Sequence, residues 1–181
     1  MVKLSKCRRA DKELFELCED VSKVNVKEFG KKEVKRGLCY HNALRRELNK
    51  KWMEKELKED HMFVKKNRSN EESQDMYVYE GLPVMACRTS NTYGFVNGEE
   101  FVVQSFDDNG VTVRCDDLQI TIKTEDFSKM FYPAYVISIH KSQGVTIKGE
   151  YTIYEWSKLS DKLKYVALSR GVTKNNINIV I

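Results

Sequence analysis

The chain has 181 residues, of which 41% are hydrophobic and 32% are charged. A chain of this length forms a core without disulfides or metal, and two prolines with nine glycines exclude a collagen-like or linker-like chain. No apolar run approaches the ~20 residues of a membrane span, and the N-terminus lacks the apolar stretch of a signal peptide. We therefore expect an intracellular protein, in the cytoplasm or nucleus, with no membrane partner.

The cysteines and histidines do not form a ligand pattern. The five cysteines contain no C-x-x-C pair and are scattered at Cys7, Cys18, Cys39, Cys87 and Cys115. Their odd number and spacing favour reduced, mostly buried thiols. His41, His61 and His140 lack neighbours at ligand spacing, so we predict no metal site.

Charge is divided unevenly along the chain. Residues 1–70 hold 20 basic and 12 acidic side chains, residues 71–131 hold 4 and 12, and residues 132–181 hold 7 and 3. An acidic middle between basic flanks indicates a separate module, although chance clustering in a lysine-rich chain is the alternative. If a polyanion binds, the flanks should do most of the binding.

In chain order, residues 11–21 place apolar side chains at helical spacing and predict a short amphipathic helix. An apolar run at the end of residues 34–40 predicts a buried strand. Asn42 is a suitable N-cap for a helix from about 43 to 58. Residues 59–75 are polar and without a period, which predicts a loop.

From Gly81 onward the pattern changes to short strand-favouring runs about ten residues apart. They are separated by turn sequences at Asn97-Gly98 and at residues 107–110. This spacing predicts a small all-β barrel or curled meander over residues 81–130.

Alternating strands and helices return after Pro133. The predicted elements are a strand at 135–139, a loop at 140–144, a strand at 151–154, a helix at 161–169 capped by Ser160, and a strand at 176–181. We therefore predict an α/β domain made of residues 1–80 and 131–181, interrupted by the all-β insertion at 81–130.

The loop from His140 to Gly144 carries the most chemistry. It follows a predicted buried strand, where ligands of open α/β sheets bind. Its cation, hydroxyl, amide and glycine suit phosphate oxygens, although a solvated turn is the alternative. Arg170, at the end of a helix, either neutralises the helix dipole or contacts phosphate, and Arg8-Arg9 is ambiguous in the same way.

Some aromatic and basic residues admit two interpretations. Stacking on nucleobases is conceivable for Tyr40, Trp52, Tyr132 and Tyr135, with Tyr132 and Tyr135 the better candidates and Trp52 better placed in the core. The basic pairs Lys35-Arg36, Arg45-Arg46 and Lys50-Lys51 either form a patch that contacts nucleic-acid phosphates or lie on an exposed helix face.

Taken together, IHKSQGVT (139–146) and YVALSRG (165–171) resemble motifs V and VI of superfamily-one helicases, in the branch that contains the RecD-like and Dda-like DNA helicases. The resemblance continues at other segments in family order, namely GLPVM (81–85) with NGEEFV (97–102), LCYHN (38–42), and a weak motif IV at residues 4–11.

This resemblance implies a second RecA-like domain, a parallel sheet with flanking helices, carrying an inserted small β-barrel. It implies that Arg170 and Arg9, or alternatively Arg8, reach the γ-phosphate of ATP and stabilise the transferring phosphoryl group. It further implies that Gln143 and Gly144 face the nucleotide, and that single-stranded DNA is contacted by His140, Lys141, Ser142, Asn42 and His41.

The 181 residues contain no P-loop of the form G-x-x-x-x-G-K-[ST]. The one Gly-Lys pair, Gly30-Lys31, is followed by Lys32 and preceded five places earlier by Asn25. The resemblance therefore implies that ATP and Mg²⁺ are held mainly by an N-terminal P-loop RecA-like domain of the same polypeptide. We expect a C-terminal piece of a longer helicase, unable to hydrolyse ATP alone, acting at sites of DNA replication or repair.

Two other functions stay open on the sequence. One is a nucleic-acid-binding module that works without ATP. The other is an interaction domain whose acidic barrel docks a basic protein, such as a replication-protein partner, with an inherited but inactive helicase pattern.

Overall fold

The computed structural model describes residues 10–116 and 118–181. The α-helices of this part are α1 (Lys12–Glu19), α2 (Asn42–Lys55), α3 (Thr124–Met130) and α4 (Asp161–Leu168). Its strands are β1 (Gly37–Cys39), β2 (Met62–Val64), β3 (Met76–Val78), β4 (Pro83–Ala86), β5 (Glu100–Phe106), β6 (Gly110–Cys115), β7 (Leu118–Lys123), β8 (Phe131–Pro133), β9 (Val136–Ser138), β10 (Tyr151–Ile153) and β11 (Ile177–Ile179).

The chain divides into two compact units. Among the described residues, the first unit contains 10–45 and 136–181, and the second contains 46–116 and 118–135. The second unit is thus larger than the insertion predicted at 81–130, because it also takes in most of α2 and the β2–β3 hairpin.

The first unit is built on a parallel sheet with strand order β11-β10-β1-β9. Its strand residues are buried almost throughout, as expected for a parallel sheet covered on both faces. Consecutive strands β10 and β11 are joined through α4, which supplies the crossover that parallel pairing requires.

The helices of the first unit begin at identifiable caps. Asp11 Oδ1 accepts a hydrogen bond from the Leu14 amide at 2.8 Å and starts α1. Ser160 caps α4 as predicted, with its hydroxyl accepting from the Leu163 amide at 3.4 Å. Both caps satisfy amides that the first helical turn leaves without a backbone partner.

The second unit contains an antiparallel sheet with strand order β7-β6-β5-β4-β8. Its described strands do not close into the expected barrel, since β7 and β8 remain edge strands. The short helix α3 joins these two edges and packs against both of them, so the chain passes from one edge to the other without strand pairing. Asp107 holds the β5–β6 turn by accepting from the amides of Asn109 and Gly110.

The segment predicted as a loop at 59–75 contains a short strand. β2 pairs with β3 in antiparallel register, with Met62 opposite Val78 and Val64 opposite Met76. Three-residue strands are too short to show a period in the sequence, which explains why the polar composition of the segment concealed them.

A cluster of aromatic rings fills the core of the second unit. Neighbouring ring centroids lie 5.1 to 5.9 Å apart among Phe95, Phe101, Phe127 and Phe131. Within the described part of the chain, no helix combines the length and the apolar character needed to cross a bilayer.

Candidate nucleotide and nucleic-acid site

The candidate site lies at the carboxyl edge of the parallel sheet in the first unit. Three neighbouring strands, β10, β1 and β9, end there in sheet order. They are followed by Glu155, by Tyr40 to Asn42, and by the loop from His140 to Gly144. Parallel strands bring these segments to one edge even though they are far apart in sequence.

The 140–144 loop is a tight turn held by its own serine. Ser142 is fully buried, and its hydroxyl donates to the Ile139 carbonyl at 2.7 Å. The side chain predicted to contact DNA is therefore inaccessible in this conformation, and it shapes the loop instead. His140 and Gln143 remain exposed, and Lys141 is half-buried.

Gly144 adopts a left-handed backbone with φ of +91°. No heavy atom lies within 4 Å of the position that a Cβ would take, so space does not require glycine here. The backbone conformation does, because side chains disfavour positive φ. Gly144 itself is exposed, whereas the amides of Ser142, Gln143 and Val145 already donate to carbonyls in and next to the turn.

Arg170 lies directly against this loop. Its Nη1 donates to the carbonyls of Ser142 and Val145 at 3.3 and 3.4 Å. A backbone hydrogen bond also connects the two segments, because the Ile147 amide donates to the Arg170 carbonyl at 2.8 Å. The structure thus brings together the two segments on which the helicase resemblance depends.

Arg170 also closes helix α4. Its Nε donates to the Val166 carbonyl at 3.1 Å, and its Nη2 donates to the Ser169 hydroxyl at 2.8 Å. The two interpretations of this arginine are therefore compatible, because one guanidinium presents several donors in a planar fork.

The loop between β1 and α2 is fixed by Glu155. Glu155 Oε2 accepts from the amides of Tyr40 and His41 at 3.1 and 3.0 Å, and Oε1 lies 2.7 Å from His41 Nδ1. Asn42, exposed and the first residue of α2, accepts from Arg45 Nε at 3.2 Å. Asn42 and His41 lie at the same edge as His140.

Electrostatics favour a charged Glu155. Burial by itself raises the pKa of the carboxyl, but hydrogen bonds from His41, Lys158 and the Tyr40 amide outweigh it and hold the pKa at about 2. Sequence analysis did not identify Glu155 as a site residue. Its position directly after a buried strand at this edge was the only available signal.

Two predicted stacking residues are excluded by burial. Tyr132 and Tyr135 are 1% and 7% exposed in the second unit, so their rings cannot meet a base. Tyr132 OH donates to Met85 Sδ, and Tyr135 OH shares a 2.9 Å hydrogen bond with Tyr79 OH. The aromatic-rich strand β8 packs inward, which the sequence did not distinguish from a stacking surface. Tyr40, in contrast, is 37% exposed.

The structure also decides between the two interpretations of Trp52, and in part between those of the basic pairs. Trp52 is buried, as the core interpretation expects. Arg45 is buried, whereas Lys50 is exposed and pairs with Glu54 at 3.8 Å, so these cations do not form one exposed patch.

Arg9 and Arg8 lie outside the described residues. Within residues 10–116 and 118–181, no group of three or more His, Cys, Asp and Glu side chains is arranged to hold a metal ion. The edge offers donors suited to phosphate, from the side chains of Arg170 and Gln143 and from the Gly144 amide.

No family model matches the chain, and no curated protein matches it by sequence. Solved structures do match in fold. Bacteroides Pif1 bound to single-stranded DNA superposes with a TM-score of 0.76 at 21% identity, over 98% of this chain and 51% of that one.

Two further structures behave similarly. Pif1 helicase from Bacteroides in complex with ADP-AlF3 and single-stranded DNA gives a TM-score of 0.72 at 21% identity, over 99% of this chain and 52% of that one. Pif1 helicase from Candida albicans gives a TM-score of 0.62 at 17% identity, over 94% of this chain and 49% of that one. The chain therefore spans about half the length of these helicases.

The chain thus shares its fold with these Pif1 structures, a mixed α/β fold with one parallel sheet and two antiparallel sheets among the described residues. The solved structures compared above are Pif1 helicases, whereas the sequence motifs resemble those of the RecD-like and Dda-like branch.

Proposed function

We propose that the chain is the C-terminal motor part of an ATP-dependent DNA helicase of the RecD-like or Dda-like branch. The first unit would be the second RecA-like domain, and the second unit would be the module inserted in it. The observation that carries the proposal is the contact between Arg170 and the 140–144 loop at the carboxyl edge of the sheet. The shared fold with Pif1 helicases supports the coarser part of the proposal.

In this proposal, Arg170 stabilises the charge that develops as the γ-phosphoryl group of ATP transfers. Its Nη1 bonds to loop carbonyls are 3.3 to 3.4 Å long and could be exchanged for a phosphate oxygen. Gln143 and Gly144 would line the nucleotide, and Arg9 would supply a second cation. ATP and Mg²⁺ would be held mainly by an N-terminal P-loop domain of the same polypeptide.

The same edge would carry part of the single-stranded DNA track. His41, Asn42 and His140 are exposed, and Lys141 is half-buried beside them. Ser142 would contribute by holding the turn through its bond to Ile139. Movement along the strand would follow from closure of the two RecA-like domains on ATP.

The test is the Arg170→Ala variant of a polypeptide that joins this chain to a P-loop domain. We expect DNA-stimulated ATP hydrolysis to fall roughly 10³- to 10⁵-fold while single-stranded DNA binding survives. Arg68→Ala, which alters an exposed arginine of the second unit, is the matched control and should leave turnover unchanged.

The 181-residue chain alone should hydrolyse no ATP above the level of its Arg170→Ala variant. Normal turnover in the joined Arg170→Ala protein would remove the motor assignment. DNA binding without any ATPase in the joined wild-type protein would favour the ATP-independent binding module. Retention of a basic replication protein by the acidic stretch at 71–131 would favour the interaction domain.

A further inference from the structure

Three aromatic rings meet at the carboxyl edge of the parallel sheet. The Tyr40 ring centroid lies 4.6 Å from that of His41, in an edge-on arrangement, and 6.2 Å from that of His140, with an interplanar angle of 36°. All three residues are exposed. Because β1 and β9 are paired neighbours, the sheet itself sets the separation of Tyr40 and His140.

Such rings would gain free energy from burial, yet these lie open at the surface. Tyr40 is 37% exposed although its neighbour Cys39 is fully buried. An exposed cluster of planar rings beside a lysine matches the two components of a nucleotide, a base that stacks and a phosphate that pairs with a cation. Stacking tolerates any base, because each has a π-face.

The Tyr40–His41 backbone is held by one carboxylate. Glu155 accepts both amides and contacts His41 Nδ1, and Lys158 Nζ lies 3.1 Å from the same carboxylate. The Glu155 side chain is only 9% exposed, so it is fixed in place beneath the exposed rings.

Glu155 adopts a left-handed backbone, with φ of 59° and ψ of 31°. A glutamate seldom takes this conformation, because its Cβ crowds the neighbouring carbonyl. The surrounding contacts maintain it, and the result is a carboxylate aimed at the amides of the adjacent strand end. The strained backbone of Glu155 therefore occurs at the residue whose carboxylate fixes Tyr40 and His41.

We propose that Tyr40 and His140 form a stacking site for one nucleobase of a single strand, and that Glu155 is the positioning residue that orders this site. The proposal rests on the nucleic-acid track of the proposed function and adds a base-contacting element to it. Lys141 faces the adjoining phosphate. The site takes a base without selecting its identity.

The test measures fluorescence anisotropy of the complete 181-residue chain with two labelled strands, an oligothymidylate and an abasic strand of equal length. Wild-type protein should bind the base-bearing strand more tightly. Tyr40→Ala should weaken that binding roughly 5- to 100-fold and leave abasic binding unchanged. Tyr40→Phe, which keeps the ring, should bind as wild type does. An oligouridylate arm distinguishes RNA from DNA as the source of the base.

The Glu155→Gln variant tests the positioning role. It should reduce the preference for the base-bearing strand, and adding it to Tyr40→Ala should cause no further loss, since it acts through that ring. If Glu155 acted on stability alone, Glu155→Gln would weaken the binding of the base-bearing strand and of the abasic strand equally. Asp161→Asn, which alters an exposed carboxylate of the same unit, is the control and should change neither.

Each outcome separates the two proposals. Equal wild-type affinity for both strands, or equal weakening of both by Tyr40→Ala, would overturn the stacking site while the track stands. Binding to neither strand at low salt would overturn the track, and the stacking site with it.

Discussion

Glu155 is the residue at which local backbone preference and site geometry conflict most. Nothing in the sequence YTIYEW indicates a left-handed glutamate, since such conformations usually fall to glycine or asparagine. The sequence did indicate His41 and His140 as residues at strand ends. It could not indicate which carboxylate would orient His41, because that pairing joins positions 114 residues apart.

Glu155 makes stability depend on pH. Its pKa in the folded protein is about 2, below the ordinary 4.5, so the charged carboxylate stabilises the fold above about pH 4.5 and loses this effect as pH falls towards 2. We expect Glu155→Gln to lower the free energy of unfolding by about 1–3 kcal/mol at neutral pH and to match wild type near pH 2. Urea unfolding across that pH range measures the difference.

Asp161→Asn provides the comparison, because the Asp161 side chain is 71% exposed and solvent screens its 3.1 Å ion pair with Lys164. A constant gap between Glu155→Gln and wild type at every pH would contradict the linkage.

At the scale of elements, the sequence predicted the strand, loop and helix order of the first unit, but it placed the strands too long. The predicted strand at 135–139 is observed as β9 (Val136–Ser138), and the predicted strand at 176–181 is observed as β11 (Ile177–Ile179). Apolar runs report burial, whereas strand ends depend on which neighbour pairs with them, and that partner is distant in sequence. The short strand β1 nevertheless lies between β10 and β9 and positions Tyr40 and His41.

Gly37 is expected to be essential to this strand. A Cβ at Gly37 would lie 2.8 Å from Tyr154 Cε2 and 3.1 Å from Val136 Cγ2, which belong to the neighbouring strand segments. We expect Gly37→Ala to lower the free energy of unfolding by about 1–3 kcal/mol, because both neighbours are buried and cannot retreat. Urea unfolding measures it.

Gly149→Ala is the matched control, since no heavy atom lies within 4 Å of the added Cβ. It should change stability by less than about 0.5 kcal/mol. Equal effects of the two substitutions would show that crowding at β1 is not the cause.

At the scale of the whole molecule, the sequence pattern predicted both kinds of sheet, and for residues 81–130 it allowed a closed barrel or a curled meander. The described strands β4 to β7 pair in sequential order, as in a meander, and do not close. Alternating helices and strands indicated the parallel sheet, and the turn-separated runs after Gly81 indicated the antiparallel one. Barrel closure depends on pairing between the first and last strands of a sheet, and no local pattern encodes that. Here α3 joins the two edges instead.

The division of charge predicts how binding responds to salt. The basic stretches at 1–70 and 132–181 flank the acidic stretch at 71–131. We expect affinity for single-stranded DNA to fall as salt rises, with a log–log slope of about −0.7 for each phosphate neutralised. Lys141→Ala should reduce the magnitude of the slope by about 0.7, which a salt titration of anisotropy measures.

Lys123→Ala alters an exposed lysine within the acidic stretch and should leave the slope unchanged. A slope near zero for wild type, or the same change in both variants, would refute a track carried by the basic flanks.

The hydrogen bonds between Arg170 and residues 142–147 have a mechanical consequence. Side-chain and backbone bonds tie the end of α4 to the turn after β9 at three points, Ser142, Val145 and Ile147. Neither segment can shift without pulling the other. A displacement of the turn where it faces solvent is therefore transmitted to the end of α4, and the two segments move as one unit.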